Sequence, residues 1–262
     1  MKKTEIISKE NNNYKNWTKL LQKKYRDSQG LFIIEGPVLL KDAVRSNGEL
    51  LELVASAEEE NPEEIAKELN YRGELYILSP QLFKNLSQTE NGRSILGIFR
   101  KPNEHLLSKE KEGNILVLDR IQDPGNMGTL IRTAEGAGFT EIVTIKGTVD
   151  PFSPKVVRSA AGSLLRMPIV QLEDAKETID YLKNKSKEIL VTLMDGDEIY
   201  WNRNLKNPIA LVIGNEGQGV GEDFIKLADI KVRIPMTENI ESLNAAMAAG
   251  IIMYEVMRQQ SN

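Results

Sequence analysis

The sequence of residues 234–256, IPMTENIESLNAAMAAGIIMYEV, decides the fold of this chain. A short β-type run stops at Pro235, a polar loop follows, and small and apolar residues then continue to the end of the stretch. We predict a helix that begins near Ser242, whose hydroxyl can cap it by accepting a backbone N–H. Apolar residues recur at helical spacing and predict one buried face, made of Leu243, Met247, Ile251, Tyr254 and Met257.

The same helix carries small residues from Ala245 to Gly250, which leave its other faces nearly without side chains. Such a helix permits close approach by another helix or by a bound ligand. Asn244 is the one amide in this otherwise apolar segment. On this stretch alone, a tightly packed core helix with a satisfied polar cap is favoured over a ligand site.

Length and composition limit the possible classes of protein. The 262 residues suffice for two domains, and 40% hydrophobic with 27% charged residues is typical of a soluble globular protein. No run approaches the roughly 20 apolar residues of a membrane span, so we expect no membrane association. The N-terminal segment MKKTEIISKENNNY lacks the apolar core of a signal peptide. The absence of cysteine excludes disulfides and thiolate metal sites and fits a reducing cytoplasm.

The single histidine, His105, lies in a polar stretch that resembles a linker. A multi-histidine metal site or a His–carboxylate triad is therefore not expected. The net charge of −4 argues against uniform affinity for nucleic acids, so any basic surface must be local.

One local basic segment occupies residues 11–26, NNNYKNWTKLLQKKYR, which contain five basic residues and no acid. Lysines four residues apart predict one helical face, and an aromatic pair, Trp17 and Tyr25, could stack or pack. An ordinary solvated face and a strip that binds RNA phosphates are equally supported by this stretch. The candidate RNA-binding residues are Lys15, Lys19, Lys23, Lys24 and Arg26.

Alternating strand and helix patterns predict two α/β domains. Residues 1–29 form a basic N-terminal extension, residues 30–100 a small α/β domain, residues 101–113 a linker and residues 114–262 a second domain. The strand NILVLDRI at 114–121 is apolar enough to be buried on both faces, as in parallel sheets. Loop-then-helix elements follow the first and the last two of six predicted strands, at the sheet edge where open α/β sheets bind ligands.

The loop GNEGQGVG at 214–221 has four glycines, which let backbone groups face a ligand directly. It lacks both Walker A and GxGxxG spacing, so an enzyme that uses nucleotide phosphates is disfavoured. Glu216 is an acceptor suited to a ribose hydroxyl or a neighbouring arginine, although a solvated glutamate in a glycine-rich turn is common.

The loop QDPGNMG at 122–128 places Asn126 on a sharp turn before a helix that carries Arg132 among small or apolar residues. Arg132 either extends to solvent or points at an anion in the strand-end crevice. Taken alone, such an arginine is more often a surface ion-pair residue than a catalyst.

Three stretches together, NMGTLIRTAEGAGF, IGNEGQGVG and IPMTENIESLNAAMAAGI, resemble the motifs of the SpoU/TrmH branch of the SPOUT RNA 2′-O-ribose methyltransferases, in order and at about their usual spacing. The resemblance covers residues 114–258. Residues 20–100 are more loosely similar to the small substrate-binding domain of many rRNA-directed members. Residues 245–247 depart mildly from the third motif, which often has a β-branched residue and a serine or alanine after its Leu-Asn pair.

The resemblance implies a parallel sheet whose C-terminal part forms a trefoil knot, a homodimer with the active site near the interface, and no metal. It implies that S-adenosyl-L-methionine binds among the knotted loops, at Leu193, Gly214, Ile234, Met236, Leu243 and Asn244. It gives Arg132 the activation of a ribose 2′-OH, Asn126 a positioning role, and Glu216 the orientation of Arg132 or a contact with RNA. A guanidinium is a poor general base, so a phosphate clamp is at least equally favoured for Arg132.

The substrate implied is a large structured RNA, with rRNA of the large ribosomal subunit favoured over tRNA. Two alternatives stay open, a tRNA 2′-O-methyltransferase and a non-catalytic RNA-binding protein of ribosome assembly. The presence of all three motifs argues against the second.

Overall fold

The computed structural model describes residues 1–88, 94–102, 112–160, 162–237 and 242–261. His105 and most of the predicted linker at 101–113 lie outside the described residues. The chain forms two compact units. Unit 1 combines Met1–Asn103 with Asp150–Leu165, and unit 2 combines Glu104–Val149 with Arg166–Asn262. Residues 150–165, which the sequence pattern places in the second domain, therefore group with the first unit.

The described strands are β1 (Lys3–Ile6), β2 (Leu31–Glu35), β3 (Leu50–Ser56), β4 (Leu75–Leu78), β5 (Ile95–Arg100), β6 (Ile115–Asp119), β7 (Glu141–Ile145), β8 (Ile169–Leu172), β9 (Glu188–Thr192), β10 (Glu198–Ile199), β11 (Ile209–Gly214) and β12 (Ile230–Arg233). The α-helices are α1 (Asn12–Lys19), α2 (Lys23–Gln29), α3 (Pro37–Arg45), α4 (Pro62–Glu68), α5 (Pro80–Leu86), α6 (Pro124–Gly136), α7 (Pro154–Ala160), α8 (Ser163–Arg166), α9 (Ala175–Asn184), α10 (Glu222–Leu227) and α11 (Ala245–Gln260). No helix of these described segments is long and apolar enough to cross a bilayer.

Unit 1 contains a five-stranded sheet in the order β1-β4-β3-β5-β2, with β5 antiparallel to both of its neighbours. Residues 1–29 are part of this unit, not the extension that the sequence suggested. Strand β1 pairs in parallel with β4, and Tyr14, Trp17 and Leu20 are buried in the same apolar cluster as Ile6. Residues 14, 17 and 20 are three apart and therefore lie on one face of a helix, which packs on the core. The polar residues between them make this apolar face hard to recognise in the sequence.

The basic segment is divided between two helices, because α1 ends at Lys19 and α2 begins at Lys23. The predicted continuous lysine face is therefore wrong. Trp17 is only 1% exposed and donates from Nε1 to Glu52 Oε2 at 2.5 Å, so it cannot stack on a base. A buried indole is an anchor of the core in this position.

Ion pairs occupy two of the predicted RNA-binding lysines, since Lys15 contacts Glu10 and Lys23 lies 3.6 Å from Asp27. Lys19 and Lys24 instead lie over the ring of half-buried Tyr25, at 5.8 and 5.9 Å from its centroid.

Arg26 was predicted to bind RNA, and the structure contradicts this. Its side chain is 4% exposed, and its Nε and Nη2 both donate to Asp150 Oδ2, at 2.8 and 2.6 Å. Its Nη1 donates to the carbonyl of Leu20 at 2.8 Å. Asp150 also accepts from the backbone N–H of Phe152, so this pair fixes the 150–165 segment within unit 1. The partner lies 124 positions away along the chain, where no local pattern reveals it.

Replacing Arg26 should therefore affect stability and leave RNA contacts untouched. We expect Arg26→Ala to lower the free energy of unfolding by about 3–5 kcal/mol, because Asp150 is left as a buried, unpaired charge. Lys24→Ala, an exposed neighbour, should change it by less than about 0.5 kcal/mol. Urea unfolding of both variants measures this difference. An Arg26→Ala protein of wild-type stability would contradict a structural role.

Unit 2 contains a seven-stranded sheet in the order β10-β12-β9-β11-β6-β7-β8, and all its described pairs are parallel. The parallel α/β sheet predicted from the apolar strands is confirmed. The first strand of this sheet along the chain is β6. Strands β7 and β8 lie on one side of β6, and β9 to β12 lie on its other side. The strand order thus reverses beside β6, the position at which open α/β sheets form a ligand crevice. The trefoil knot stays a prediction.

Helix α11 differs from the prediction in both its start and its buried face. It begins at Ala245, and its N-cap is Asn244, not Ser242. The buried residues are Ala246, Ala249, Ile252, Met253 and Val256. Of the apolar residues predicted to be buried, Ile251 is half-buried and the other four are exposed, with Met247 at 62% and Tyr254 at 53%. The helix packs on α6 and β11. Its buried face is small near the N-terminal end, at Ala246 and Ala249, and large toward the C-terminal end, at Ile252, Met253 and Val256.

Candidate functional site

A cleft of about 550 Å³ lies where β9, β11 and β12 end and α11 begins. Its volume is in the range of small-molecule sites. All six residues predicted to hold a cofactor line it: Leu193, Gly214, Ile234, Met236, Leu243 and Asn244. Glu216 and Ser242 line it as well. The sequence analysis missed further lining residues, including Thr192, Met194, Val220 and Ala248, because they lie outside the three motifs or serve as packing residues within them.

The glycine-rich loop folds back tightly against the end of β11. Asn215 accepts from Gly219 N through its carbonyl at 2.8 Å and from Gly217 N and Gln218 N through Oδ1, both at 2.9 Å. A Cβ built on Gly214 would lie 2.1 Å from the carbonyl carbon of Gly219. Gly219 has φ +70°, a left-handed conformation that favours glycine. The glycines therefore bring two backbone segments into contact at the cleft wall.

A buried carboxylate ties this loop to the end of β6. Asp119 is 1% exposed and accepts from Gly221 N at 2.7 Å and from Arg120 Nε at 2.7 Å. Arg120 also donates from Nη1 to Gln218 Oε1 at 3.1 Å, and its hydrogen bond with Asp119 raises the pKa of the guanidinium. Sequence reasoning missed both residues, although an acid at the end of a wholly apolar strand was a usable signal.

The side chains of Glu216, Asn126 and Asn244 are linked by hydrogen bonds beside the cleft, and this linked set is called the relay below. Asn126 Nδ2 donates to Glu216 Oε1 at 2.9 Å, and Asn244 Nδ2 donates to Asn126 Oδ1 at 2.8 Å. A carboxylate only accepts hydrogen bonds, so Asn126 must turn its NH₂ toward Glu216 and its oxygen toward Asn244. Asn244 then uses its own oxygen to cap α11, accepting from Ala246 N and Met247 N. The direction of every hydrogen bond in the relay is thus fixed by Glu216.

Asn126 lies in the first turn of α6 and not on the preceding loop as predicted. The helix begins at Pro124, and its N-cap Asp123 accepts from Asn126 N at 2.8 Å. Proline at the first helical position fits the helix geometry, so the turn read from the sequence is already helical.

Glu216 holds the loop between β6 and α6 through its carboxylate. It accepts from the backbone N–H of Gln122 at 3.2 Å and of Asp123 at 3.1 Å. Burial is the largest single influence and raises the pKa of Glu216, but the hydrogen bonds from Asn126 and the backbone together outweigh it and lower the pKa overall. The predicted orientation of Arg132 by Glu216 is not what the described residues show, since the partners of Glu216 there are Asn126 and this loop.

Arg132 is exposed on α6, six residues after Asn126, and is not among the residues that line the cleft. In the described part of the chain it has no hydrogen bond or ion pair. Its guanidinium is therefore available to an anion from outside. The described segments also contain no group of three or more acidic or histidine side chains able to hold a metal ion.

The sequence of unit 2 decides the family, because residues 113–254 match the SpoU rRNA Methylase family. The chain belongs to this family. Residues 11–97 match the MRM3-like substrate binding domain. The membership predicted from the three motifs is thus confirmed. The match to the substrate binding domain begins inside residues 1–29, which the sequence pattern predicts to be an extension.

Relatives of known name are similar over nearly the whole chain. The 23S rRNA (guanosine(2553)-2′-O)-methyltransferase RlmP of Bacillus subtilis is 33% identical and aligns with 96% of this chain and 98% of its own length. The mitochondrial rRNA methyltransferase 3 of Xenopus laevis is 28% identical over 92% of this chain and 72% of its own.

Solved structures of the family have the same fold as this chain. The SpoU methyltransferase AviRb of Streptomyces viridochromogenes, in complex with AdoMet, superposes with a TM-score of 0.86 at 26% identity, covering 96% of this chain and 98% of AviRb. The AdoMet-bound rRNA methyltransferase of Sinorhizobium meliloti gives 0.84 at 29% identity and covers 98% of each chain. The predicted fold class is confirmed by these similarities.

Proposed function

We propose that this chain transfers a methyl group from S-adenosyl-L-methionine to a ribose 2′-OH of large-subunit rRNA. The observation that carries the proposal is the cleft at the strand ends, where six residues from separate strand ends and from the start of α11 meet, and where Asn244 also joins the relay of Glu216 and Asn126. The names of the relatives support rRNA as the substrate class. We place the reaction in the cytoplasm, as the cysteine-free composition suggests.

The residues present fit S-adenosylmethionine. The backbone of Gly219 and Val220 packs directly on Gly214, where a Cβ would clash, so bare backbone forms one wall of the cleft. Leu193, Ile234 and Leu243 supply apolar walls. Asn244 and the loop backbone supply polar groups at the same wall. When bound, the cofactor supplies an electrophilic methyl group on a sulfonium. The chain's own groups then have to orient the ribose hydroxyl and keep it close.

Arg132 is the group we assign to the RNA. A guanidinium keeps its charge in proteins, so it is better suited to bind the phosphate next to the reactive ribose than to remove a proton. Fixing that phosphate positions the 2′-OH, and proximity with charge alignment supplies much of the rate. Asn126 and Glu216 act as positioning residues, because they hold the first turn of the helix that carries Arg132.

The relay gives a prediction for Asn244→Asp. Aspartate caps a helix as well as asparagine, so the cap is kept and the loss of stability should be limited to about 1–3 kcal/mol, that of one unsatisfied polar group. The N–H donor to Asn126 Oδ1 is lost, however, so a carboxylate oxygen would face the amide oxygen of Asn126. If the Asn126 amide turned over, its oxygen would face the carboxylate of Glu216 instead. We expect methyl transfer to fall about tenfold or more, as for an unsatisfied polar group. Thermal unfolding and turnover assays measure the two effects, and an Asn244→Asp enzyme with wild-type turnover would contradict the role of the relay.

For RNA binding by unit 1 we propose Lys19 and Lys24 together with Tyr25, in place of the five basic residues first considered. These two lysines have no ion pair among the described residues and flank a partly exposed ring. A Lys19→Gln, Lys24→Gln double variant should bind rRNA more weakly and with a smaller dependence on salt. Deleting residues 1–29 is not a fair test, because it would remove Trp17 and Leu20 from the core.

We also propose a homodimer that uses the exposed face of α11. Met247, Tyr254 and Met257 lie there with 62%, 53% and 40% of their surface exposed. Exposed large apolar side chains on one helix face are typical of an interface between subunits. Sedimentation should give a dimer for the wild type and a monomer for Tyr254→Glu, and a wild-type monomer at micromolar concentration would contradict this.

The experiment that tests the function is transfer of labelled methyl from S-adenosylmethionine to total RNA from cells that lack this protein. Label in large-subunit rRNA, in dinucleotides that resist alkali, is expected because 2′-O-methylation blocks cleavage. Label in tRNA instead would show that the substrate is tRNA and not rRNA. If the protein did not bind S-adenosylmethionine, the proposed methyltransferase activity would be wrong, and a non-catalytic RNA-binding protein would be favoured.

A further inference from the structure

A second groove of about 410 Å³ lies in unit 2, apart from the cofactor cleft. It shares no lining residue with that cleft. Its walls come from the segment after β10 and from the last turns of α11: Trp201, Asn202, Arg203, Asn204, Lys206, Arg258 and Gln259. The proposed methyl transfer uses none of these residues.

The groove is held rigidly by hydrogen bonds to α11. Gln259 donates from Nε2 to the carbonyl of Arg203 at 3.0 Å and accepts through Oε1 from Leu205 N at 2.8 Å. Trp201 lies on a short 3₁₀ turn, Tyr200–Asn202, and its ring meets Tyr200 edge-on at 5.0 Å. Even so, Trp201 remains 49% exposed. An indole fixed in place and open to solvent is a stacking surface that needs little further ordering.

The groove also offers donors that the described residues do not saturate. Lys206 is exposed and has no ion pair in the described part of the chain. Among the described residues Arg203 has one acidic partner, since its Nη1 lies 3.4 Å from Glu198 Oε1, and 38% of its side chain is exposed. Arg258 is paired with Glu255 at 2.7 Å, so its charge is offset. A chain of net charge −4 thus has a local site with spare cationic donors beside an aromatic ring.

We propose that this groove binds a single-stranded segment of RNA, with a base stacked on Trp201 and backbone phosphates at Arg203 and Lys206. The proposal rests on the proposed function in that it takes RNA as the ligand. An aromatic face with flanking cations is the usual arrangement for single strands, because every base has a face to stack and every nucleotide has a phosphate. The spare donors favour a polyanion over the mostly apolar contact that a second copy of this chain would make.

The chain has two tryptophans, and Trp17 is 1% exposed, so changes in accessible tryptophan fluorescence report on Trp201. The test is a titration of the whole protein, without cofactor, with an oligoadenylate about ten nucleotides long, a length within the range of single-strand sites. We expect quenching that weakens as salt rises. Variants that lack this tryptophan are compared with the wild type by the anisotropy of a fluorescein-labelled oligoadenylate. In that assay Trp201→Ala should bind about 5- to 150-fold more weakly, whereas Trp201→Phe should stay close to the wild type. Lys206→Gln should weaken binding and reduce its salt dependence, while Lys183→Gln, an exposed control on α9, should not.

The absence of quenching, or equal affinity for wild type and Trp201→Ala, would overturn the proposal. So would a Trp201→Ala variant that changes from dimer to monomer in sedimentation, because the groove would then be an interface between copies. Quenching without any methyl transfer would leave the groove standing and remove the enzymatic function. Methyl transfer without quenching would remove the groove as an RNA site and leave the enzymatic function standing.

Discussion

Arg132→Ala should abolish methyl transfer to RNA while the affinity for S-adenosylmethionine stays close to that of the wild type. Arg132 is outside the cleft wall, so its loss removes no proposed contact with the cofactor. It is exposed on α6, and its guanidinium has no partner within the described residues. Losing one well-placed charged donor at a reacting group lowers turnover by about 10²–10³-fold, and here it also releases the phosphate that positions the ribose.

The matched controls are Arg166→Ala and Arg132→Lys. Arg166 is a partly exposed arginine of the same unit, paired with Glu135 on α6, and such surface pairs contribute only about 0–1 kcal/mol. Its replacement should leave turnover nearly unchanged. Lysine at position 132 keeps the charge but loses the planar fork, so partial activity is expected. Calorimetric loss of cofactor binding in Arg132→Ala would show that the assignment to RNA is wrong.

Gly214→Ala should weaken S-adenosylmethionine binding about 10- to 100-fold. The added methyl group would lie 2.1 Å from the carbonyl carbon of Gly219 and from Val220 N, and both of these are backbone atoms that no rotamer change can move. The glycine-rich loop must therefore shift away from the end of β11. Overpacking of this kind costs about 1–3 kcal/mol, and the displaced loop forms one wall of the cleft.

The control for Gly214→Ala is the same substitution in the same loop at Gly217. A Cβ there would meet only Asn215 Oδ1 at 3.6 Å, an ordinary contact, and Gly217 is not among the residues with positive φ. Gly217→Ala should bind the cofactor like the wild type. Circular dichroism and thermal unfolding of both variants separate a moved loop from a failure to fold. Equal affinities for a folded Gly214→Ala and Gly217→Ala would refute the close-approach argument.

Local patterns in the sequence were enough to predict the strands of the sheet and the edge of the sheet at which the site lies. The apolar run at 114–121 predicted a strand buried on both faces, and Ile115–Asp119 within it form a strand inside a parallel sheet. Loops that follow parallel strands all open at one edge, which predicted where the site lies. The six cofactor residues came from the resemblance to the family, and all six are among the residues that line the cleft.

The basic N-terminal segment shows where the local pattern fails. Its charge suggested RNA binding along its whole length, but Arg26 is buried against Asp150 and Trp17 against Glu52. Side-chain type alone does not distinguish a buried arginine with a distant partner from an exposed one. The choice depends on a residue more than a hundred positions away, brought close only by folding.

Helix α11 separates the two kinds of information most clearly. The sequence by itself determined that a helix follows β12, that it carries a small-residue face, and that Asn244 lies at its start. Only the tertiary structure decided that the face with Ala246, Ala249 and Met253 is the buried one, that Met247 and Tyr254 are exposed, and that Asn244 joins Asn126 and Glu216. The physical reason is that periodicity identifies the faces of a helix, whereas the shape of the neighbouring α6 and sheet selects the face that can approach closely enough to pack.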